Sequence, residues 1–527
     1  MASTYPDGIF DSLGKFYVSV AIVWTVALLV GSVFLVINRH EQCIRIRNLP
    51  LALSAVLCLH IYWILCMLAY TMAGAYPCGV EYWIMSIYLP LGIALFQANS
   101  MQLLSVSGIQ EKMLHTAHQP QKSSRGPGSK CPSQYWRQWK EMNLVHRTEV
   151  AIAVGMAVQL CLSLSVYLAS RKFHGFGSFS ERGSLAECRR GPEWQDSLIP
   201  SILWQLFWSW IFAPCILWKI RKIRDIHHWR LQITLCVIAA LPGSPLWFIA
   251  LNSTSEPWTT INRHWVPALW FTPGIVAMEG VTVFFPFYEL VVSRKQRDRI
   301  LGAIEAWNEK KVNDSESDSG TSRSQAGSSR MNELYSIKAL EKCLADDSHA
   351  LLHFAAAKEF SGENIIFLNY VRDWKASWAR INASNPEYDW TRDPQYHRLH
   401  FFKIAVEIYS ACVNLKTAEF PINVESRIYS DLTAMFGDAV QCSGRRVSRG
   451  TATHMEEDTR ALCLDENPYV SQSIMHIKSR VPDSVAVPVN FGISSFDEAQ
   501  KSILTLVFTN TWPKFIDSSS DDLSIKL

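Results

Sequence analysis

The last long apolar stretch of the sequence holds a carboxylate away from its ends. Glu279 lies near the middle of Trp265–Val292, among residues that suit the hydrocarbon core of a membrane. A carboxylate at bilayer depth is costly, which makes it a functional candidate by default. Two roles are open: contact with a ligand, an ion or a proton, or an interhelical hydrogen bond made as a neutral acid. Five other polar side chains lie inside apolar stretches, and helix packing accounts for the amides among them: His60, Gln97, Asn99, Gln159 and Gln205.

The sequence lacks the common motifs of catalytic and metal sites. Its thirteen cysteines form no CxxC pair, so neither a zinc site nor a dense disulfide framework is predicted. No HExxH, GxSxG, Walker or GxGxxG pattern stands in a usable context. A net charge of +3 without a dense basic stripe argues against a nucleic-acid partner. We therefore expect no catalytic residues, no metal and no cofactor, and a chain that is not itself an enzyme.

Seven apolar stretches are long enough to cross a membrane, which takes about 20 mostly apolar residues. They are Phe16–Ile37, Leu49–Met72, Tyr82–Val106, Val150–Ala169, Leu198–Leu217, Trp229–Leu251 and Trp265–Val292. The fifth and sixth are the weakest, because prolines interrupt them: Pro200, Pro214, Pro242 and Pro245. The prediction is an all-α chain with a seven-helix bundle at residues 16–292, after an extracellular N-terminus at 1–15. A six-span alternative would put both termini on the same side.

The Lys and Arg content of the loops predicts the orientation of the bundle. The first, third and fifth loops carry fourteen such residues, whereas the second, fourth and sixth carry six. Five of those six lie in the fourth loop, against the trend. The N-terminus is thus predicted to be extracellular and the C-terminus cytoplasmic, in the plasma membrane. A glycosylation sequon at Asn252, in the sixth loop, agrees with this orientation.

After the last span the sequence turns charged and Ser-rich, and then helical. Residues 293–335 are predicted to be a basic, Ser-rich flexible linker. From Ser336 onwards apolar residues recur at helical spacing, as at Ile366, Tyr370, Trp374 and Trp378, which marks one buried helix face. Ser495 and Glu498 predict a capping box at the start of a later helix. No alternating strand pattern occurs, so the tail is predicted to be all-α.

Short motifs in the tail occur in a fixed order. Ala339–Leu344 reads ALEKCL, Glu359–Ile365 reads EFSGENI, Phe496–Gln500 reads FDEAQ, and Asn510–Phe515 reads NTWPKF. In this order they resemble the successive signatures of the regulator of G-protein signalling (RGS) family, over residues 336–518. Joined to seven spans, the chain resembles the receptor–RGS hybrids of plants and fungi.

The resemblance implies a partner and a mechanism. RGS domains clamp the switch loops of a heterotrimeric G-protein α subunit near their transition-state arrangement, so that Gα hydrolyses GTP faster. Asn423, in the segment EFPIN, matches the family asparagine that approaches the catalytic glutamine of Gα. Eight residues match family positions that contact Gα: Glu359, Glu363, Asn364, Asn423, Leu506, Asn510, Thr511 and Lys514. Membrane lipid and a small ligand of the bundle are the other partners that the hybrid architecture implies.

The sequence departs from the RGS pattern at two of these positions. The family usually has an aspartate where Asn510 stands and an arginine where Lys514 stands, and the two form a salt bridge. An Asn–Lys pair loses that bridge and the guanidinium fork. Residues 441–489 are also longer than the family's connection and are predicted to be a disordered insert, while 519–527 form a short tail. Two alternatives stay open: a receptor whose tail scaffolds Gα without accelerating hydrolysis, and a transporter with a regulatory tail.

The receptor-like part shares one feature with G-protein-coupled receptors and lacks others. Cys78 precedes the third span and Cys188 lies in the fourth loop, which resembles the receptor disulfide between these elements. Both the bond and two unpaired cysteines stay open. The third span is followed by Val106-Ser-Gly, not by an acidic-Arg-aromatic triplet, and the seventh has Pro286-Phe-Tyr without the preceding asparagine. These differences leave the ligand of the bundle unidentified.

Overall fold

The computed structural model is helical throughout the residues that it describes, which confirms the all-α prediction for them. These residues are 10–72, 78–118, 144–171, 198–316, 335–384, 394–418, 421–448, 481–482 and 485–524, and they contain no β-strand. The chain divides into two compact units. The bundle unit comprises Met1–Val106 and Pro127–Arg294, and the tail unit comprises Ser107–Gly126 and Lys295–Leu527.

Among the described residues, seven helical segments are long and apolar enough to cross a membrane, as predicted. Their helices are α1 (Ser12–Ile37), α3 (Leu49–Leu68), α4 (Cys78–His118), α5 (Leu144–Ala169), α6 with α7 (Ile199–Leu206 and Ala213–Ile220), α8 with α9 (Trp229–Ala240 and Gly243–Asn252) and α11 (Thr272–Glu316). Three short elements join them: α2 (Gln42–Arg45), α10 (Glu256–His264) and the 3₁₀ turn Pro267–Phe271.

Proline explains why the fifth and sixth spans are each built from two helices. A π-helical turn, Phe207–Phe212, separates α6 from α7, and Pro214 follows it directly in the first turn of α7. Helix α8 ends at Ala240, and Pro242 precedes the first residue of α9. Proline lacks the N–H that an uninterrupted helix needs, so the helix breaks or widens just before it. The breaks leave both spans long enough to cross a membrane.

Two of the spanning helices continue well past the predicted apolar stretches. Helix α4 runs on from Val106 to His118, and α11 runs on from Val292 to Glu316, into the segment predicted to be flexible. The added residues of α11 are rich in Glu, Lys, Arg and Ala, which are strong helix formers. Hydropathy detects the end of a span, but it does not detect the end of a helix that leaves the membrane.

The tail unit has a core of aromatic and aliphatic side chains. Its helices are α12 (Ile337–Asp346), α13 (His349–Phe354), α14 (Gly362–Ser384), α15 (Pro394–Cys412), α16 (Ser426–Ser448), α17 (Asp497–Leu506) and α18 (Trp512–Ser524). Trp374 is fully buried at the centre of the core, and the other residues of its predicted face pack against it half-buried. The predicted capping box is wrong: α17 begins at Asp497, and the Ser495 hydroxyl accepts from the Gly492 N–H instead.

Candidate functional site

Unusual backbone occurs where the tail motifs lie. A π-helical turn, Ala355–Glu359, ends at the first residue of the EFSGENI motif, and a second, Val507–Thr511, ends within NTWPKF. Phe360 has φ 58° and ψ 40°, a left-handed conformation that costs a bulky residue about 1–3 kcal/mol. π-turns and strained residues are common at functional sites. Sequence reasoning missed both features, because neither has a residue-level signature.

Glu359 joins the two motif segments. Its side chain is 1% exposed and accepts from Lys514 Nζ at 2.7 Å and from the Ser361 hydroxyl at 2.9 Å. Lys514 therefore has a carboxylate partner although position 510 is asparagine. In place of the family's salt bridge between positions 510 and 514, Lys514 forms a salt bridge with Glu359, which precedes it by 155 positions.

The side chain of Asn364 is buried, and its oxygen lacks a donor. Its backbone N–H donates to the Ser361 carbonyl at 3.2 Å, at the start of α14. Its side-chain oxygen has no hydrogen-bond partner among the residues that the structure describes. A buried acceptor without a donor costs about 1–3 kcal/mol. Such an atom indicates a place where a binding partner can supply a donor.

The Asn423 segment is tied to the end of α15. The N–H of Ile422 donates to the Cys412 carbonyl at 2.8 Å, which ties the segment to the end of α15. Burial raises the pKa of the Cys412 thiol to about 12, and the charge of Glu363 adds a smaller rise. Cys412 is therefore a protonated core residue and not a reactive thiolate. The Asn423 segment is therefore anchored to the core of the tail unit through Ile422 and Cys412.

The eight residues predicted to contact Gα divide by exposure. Four are buried: Glu359, Glu363, Asn364 and Thr511. Four are half-buried: Asn423, Leu506, Asn510 and Lys514. The half-buried residues are the ones that a partner can reach directly. The buried ones are covered in this structure by other side chains of the tail unit, as Glu363 is by Gln110.

Glu279 lies in a polar cluster that ties three helices of the bundle together. Its fully buried carboxyl group accepts from Trp24 Nε1 at 2.7 Å and lies 3.2 Å from His60 Nδ1. The Thr25 hydroxyl donates its proton to the Ala21 carbonyl. The hydroxyl oxygen of Thr25 also lies 3.0 Å from His60 Nε2, and in this contact the imidazole nitrogen is the donor. The hydrogen bonds of the cluster thus cross between α1, α3 and α11.

Replacing Glu279 tests whether this cluster is structural. Glu279→Leu removes the acceptor of the Trp24 N–H and the partner of His60, whereas Glu279→Gln keeps an oxygen for Trp24. Interhelical hydrogen bonds in membranes contribute on average about 0.6 kcal/mol each, so we expect the leucine variant to lose about 1–2 kcal/mol and the glutamine variant less. The measurement is the thermal midpoint of the full chain in detergent, followed by tryptophan fluorescence. If the glutamine variant lost as much as the leucine variant, the ionisable group itself would be required.

Sequence reasoning missed a second buried ionic network in the bundle unit. Arg47 donates to Gln232 Oε1 at 2.7 Å and to Glu289 Oε2 at 3.2 Å, and it stacks over the Trp229 ring at 5.1 Å. Glu289 also contacts His227. Arg47 entered the loop-charge count only as a basic residue. Its partner Glu289 was also visible in the sequence, as an acid near the predicted cytoplasmic end of the seventh span.

The remaining predicted sites have separate surroundings. Asn252 is exposed at the last residue of α9, and its amide donates to the Phe248 carbonyl at 2.9 Å. Cys78 begins α4, but Cys188 lies outside the described residues, as does most of the predicted insert at 441–489. In the described ranges no group of His, Cys, Asp and Glu is suited to hold a metal ion.

No protein-family model, no curated protein and no solved structure matches this chain. The functional assignment therefore depends on the motifs and on the geometry of the tail unit.

Proposed function

We propose that the chain is a membrane-anchored regulator that accelerates GTP hydrolysis by a heterotrimeric Gα subunit through its tail unit. One observation carries the proposal: two motif segments about 150 residues apart meet at the Glu359–Lys514 ion pair, and each reaches it through a π-helical turn. A purely structural helix junction does not need rare backbone on both sides. The ordered motifs identify which class of partner such a junction would bind.

The chemistry that this function requires is modest. Gα carries its own catalytic glutamine and arginine, so a regulator only has to bind the transition-state arrangement of the switch loops better than the ground state. Asn423 is half-buried and offers a carboxamide that can donate and accept at once. Asn364 offers an acceptor oxygen that lacks a donor within the described chain. No covalent step is assigned to any residue of this protein.

The membrane location belongs to the same proposal. The loop charges support a cytoplasmic tail, and the exposed Asn252 supports an outer sixth loop. Gα subunits carry lipid anchors, so a regulator fixed in the plasma membrane would search the same surface as its partner. Confinement to one surface raises the effective concentration of the two proteins.

Single-turnover GTP hydrolysis tests the proposal. Candidate Gα subunits are loaded with GTP and mixed with the full chain in lipid nanodiscs, or with its Asn423→Ala variant. We expect acceleration by the wild-type chain and a loss of about 10- to 100-fold in the variant, which equals about 1.4–2.7 kcal/mol of transition-state stabilisation. Asn414→Ala is the matched control, because that side chain accepts only from the local Lys416 N–H. Absence of both acceleration and binding to the aluminium-fluoride form of Gα would refute the proposal.

A scaffold is the second candidate, and one observation favours it. Four of the eight predicted contact positions are buried, and Lys514 is engaged by Glu359. A tail with this surface could hold Gα without reshaping its switch loops. Binding of Gα with an unchanged rate of hydrolysis, in the experiment above, would support the scaffold.

A further inference from the structure

The tail unit includes a piece of chain that lies far upstream in the sequence. The last turns of α4, from Ser107 onwards, belong to this unit and not to the bundle unit. Leu114 packs against the apolar core of the tail, and Gln110 is 1% exposed. We call residues 107–114 the α4 extension. It contacts the rest of the tail unit through both a buried polar side chain and an apolar one.

Gln110 binds the EFSGENI loop with both ends of its side-chain amide. Its Nε2 donates to Glu363 Oε2 at 3.0 Å, and its Oε1 accepts from the Gly362 N–H at 3.2 Å. A side chain at position 362 would collide, because a Cβ there would lie 2.7 Å from Gln110 Oε1 and 2.8 Å from Ala356 Cβ. The glycine of the motif therefore allows the close approach of the amide.

We propose that the α4 extension is an inhibitory segment that covers the Gα-facing loop and must leave it before Gα can engage. This inference rests on the proposed function and on the motif match that puts Glu363 and Asn364 among the positions that contact Gα. Glu363 and the Gly362 N–H are polar groups at the start of α14, and Gln110 bonds to both. A switch loop of Gα would have to displace the amide to reach them.

The inhibitory segment is part of a longer helix. The α4 extension continues the helix that begins at Cys78, and the part Gly79–Leu114 contains a stretch that is apolar enough to cross a membrane. Gln110 therefore lies on the same continuous helical backbone as the predicted third span.

The test uses the full chain in nanodiscs with GTP-loaded Gα, and compares Gln110→Ala with wild type. We expect hydrolysis to be accelerated about tenfold more by the variant, since a buried charge-assisted hydrogen bond no longer holds the segment in place. Gln110→Glu should act in the same direction, because a carboxylate there repels Glu363. Glu111→Ala is the matched control: Glu111 is the next residue on the same helix and is exposed.

Two results would overturn the inference. An equal or lower rate with Gln110→Ala would show that the amide does not inhibit, and a lower rate would make it a positioning group for the loop. Hydrogen exchange of the amides at residues 359–366 gives a readout that does not need Gα, and we expect faster exchange in Gln110→Ala. If exchange quickens but neither the variants nor wild type accelerate hydrolysis, the contact exists, but both the proposed function and the inhibitory role fail. If wild type accelerates hydrolysis and Gln110→Ala changes nothing, only the inhibitory role fails.

Discussion

Replacing Trp374 with alanine should lower the free energy of unfolding of the tail unit by about 3–5 kcal/mol, the range for large aromatic residues in a core. The indole is fully buried, and its N–H donates to the Phe401 carbonyl at 3.1 Å. Its ring lies within 6.1 Å of the rings of Phe491 and Phe496. Domains are stable by only about 5–15 kcal/mol, so this loss is a large share of the total. Hydrogen exchange of α14 in the full chain measures it for the tail unit alone.

Trp378 provides the control for this prediction. It lies one helical turn later on the same face, is only half-buried, and stacks on Phe401 at 4.6 Å between ring centroids. Trp378→Ala should therefore cost clearly less, and Trp374→Phe should fall between the two because it keeps part of the volume. Equal losses for both alanine variants would mean that Trp374 is not the centre of the core.

Removal of Lys514 should produce the second largest loss of stability. Breaking a buried ion pair by deleting one partner costs about 3–5 kcal/mol, because the other charge stays buried without compensation. Lys514 is 21% exposed and Glu359 only 1%, so we expect Lys514→Ala to cost less than a fully buried pair would, about 2–3 kcal/mol. The measurement is again hydrogen exchange, here of the amides around Ser361 and α18.

The neighbouring lysine separates the ion pair from a general effect of charge. Lys358 donates to the Ser518 hydroxyl at 3.0 Å and forms no salt bridge with the residues that the structure describes, so Lys358→Ala should change stability little. Adding Glu359→Gln to Lys514→Ala should restore most of the loss, since the buried charge is then absent. A double variant as unstable as Lys514→Ala alone would show that packing, and not the charge, carries the effect.

The sequence predicted the bundle well because its signal is local. The seven predicted apolar stretches correspond to seven helical segments of the described residues that are long enough to span a membrane. The fifth and sixth segments qualify although prolines interrupt them. The four-residue spacing around Trp374 likewise identified the buried face of α14. The ends of α4 and α11 were misjudged, because charged helix formers extend a helix without raising its hydropathy.

The site was only partly predictable because its contacts are long-range. Motif matches selected Glu359 and Lys514 separately, but nothing in either segment says that the two form an ion pair. Gln110 carries no motif, and its partner Glu363 follows it by 253 positions. The left-handed conformation of Phe360 could not be predicted from the sequence either, because bulky residues rarely adopt it.

The two-piece construction of the tail unit also affects how the protein is made. Gly362 follows Gln110 by 252 residues, so at about 5–20 residues per second the ribosome needs roughly 13–50 s to add the loop that Gln110 binds. During that interval Leu114 has no apolar core to pack against. In a chain cut short before α12, the apolar surface at Leu114 would stay uncovered. An exposed apolar surface of this kind would distinguish an unfinished copy of the chain from a finished one.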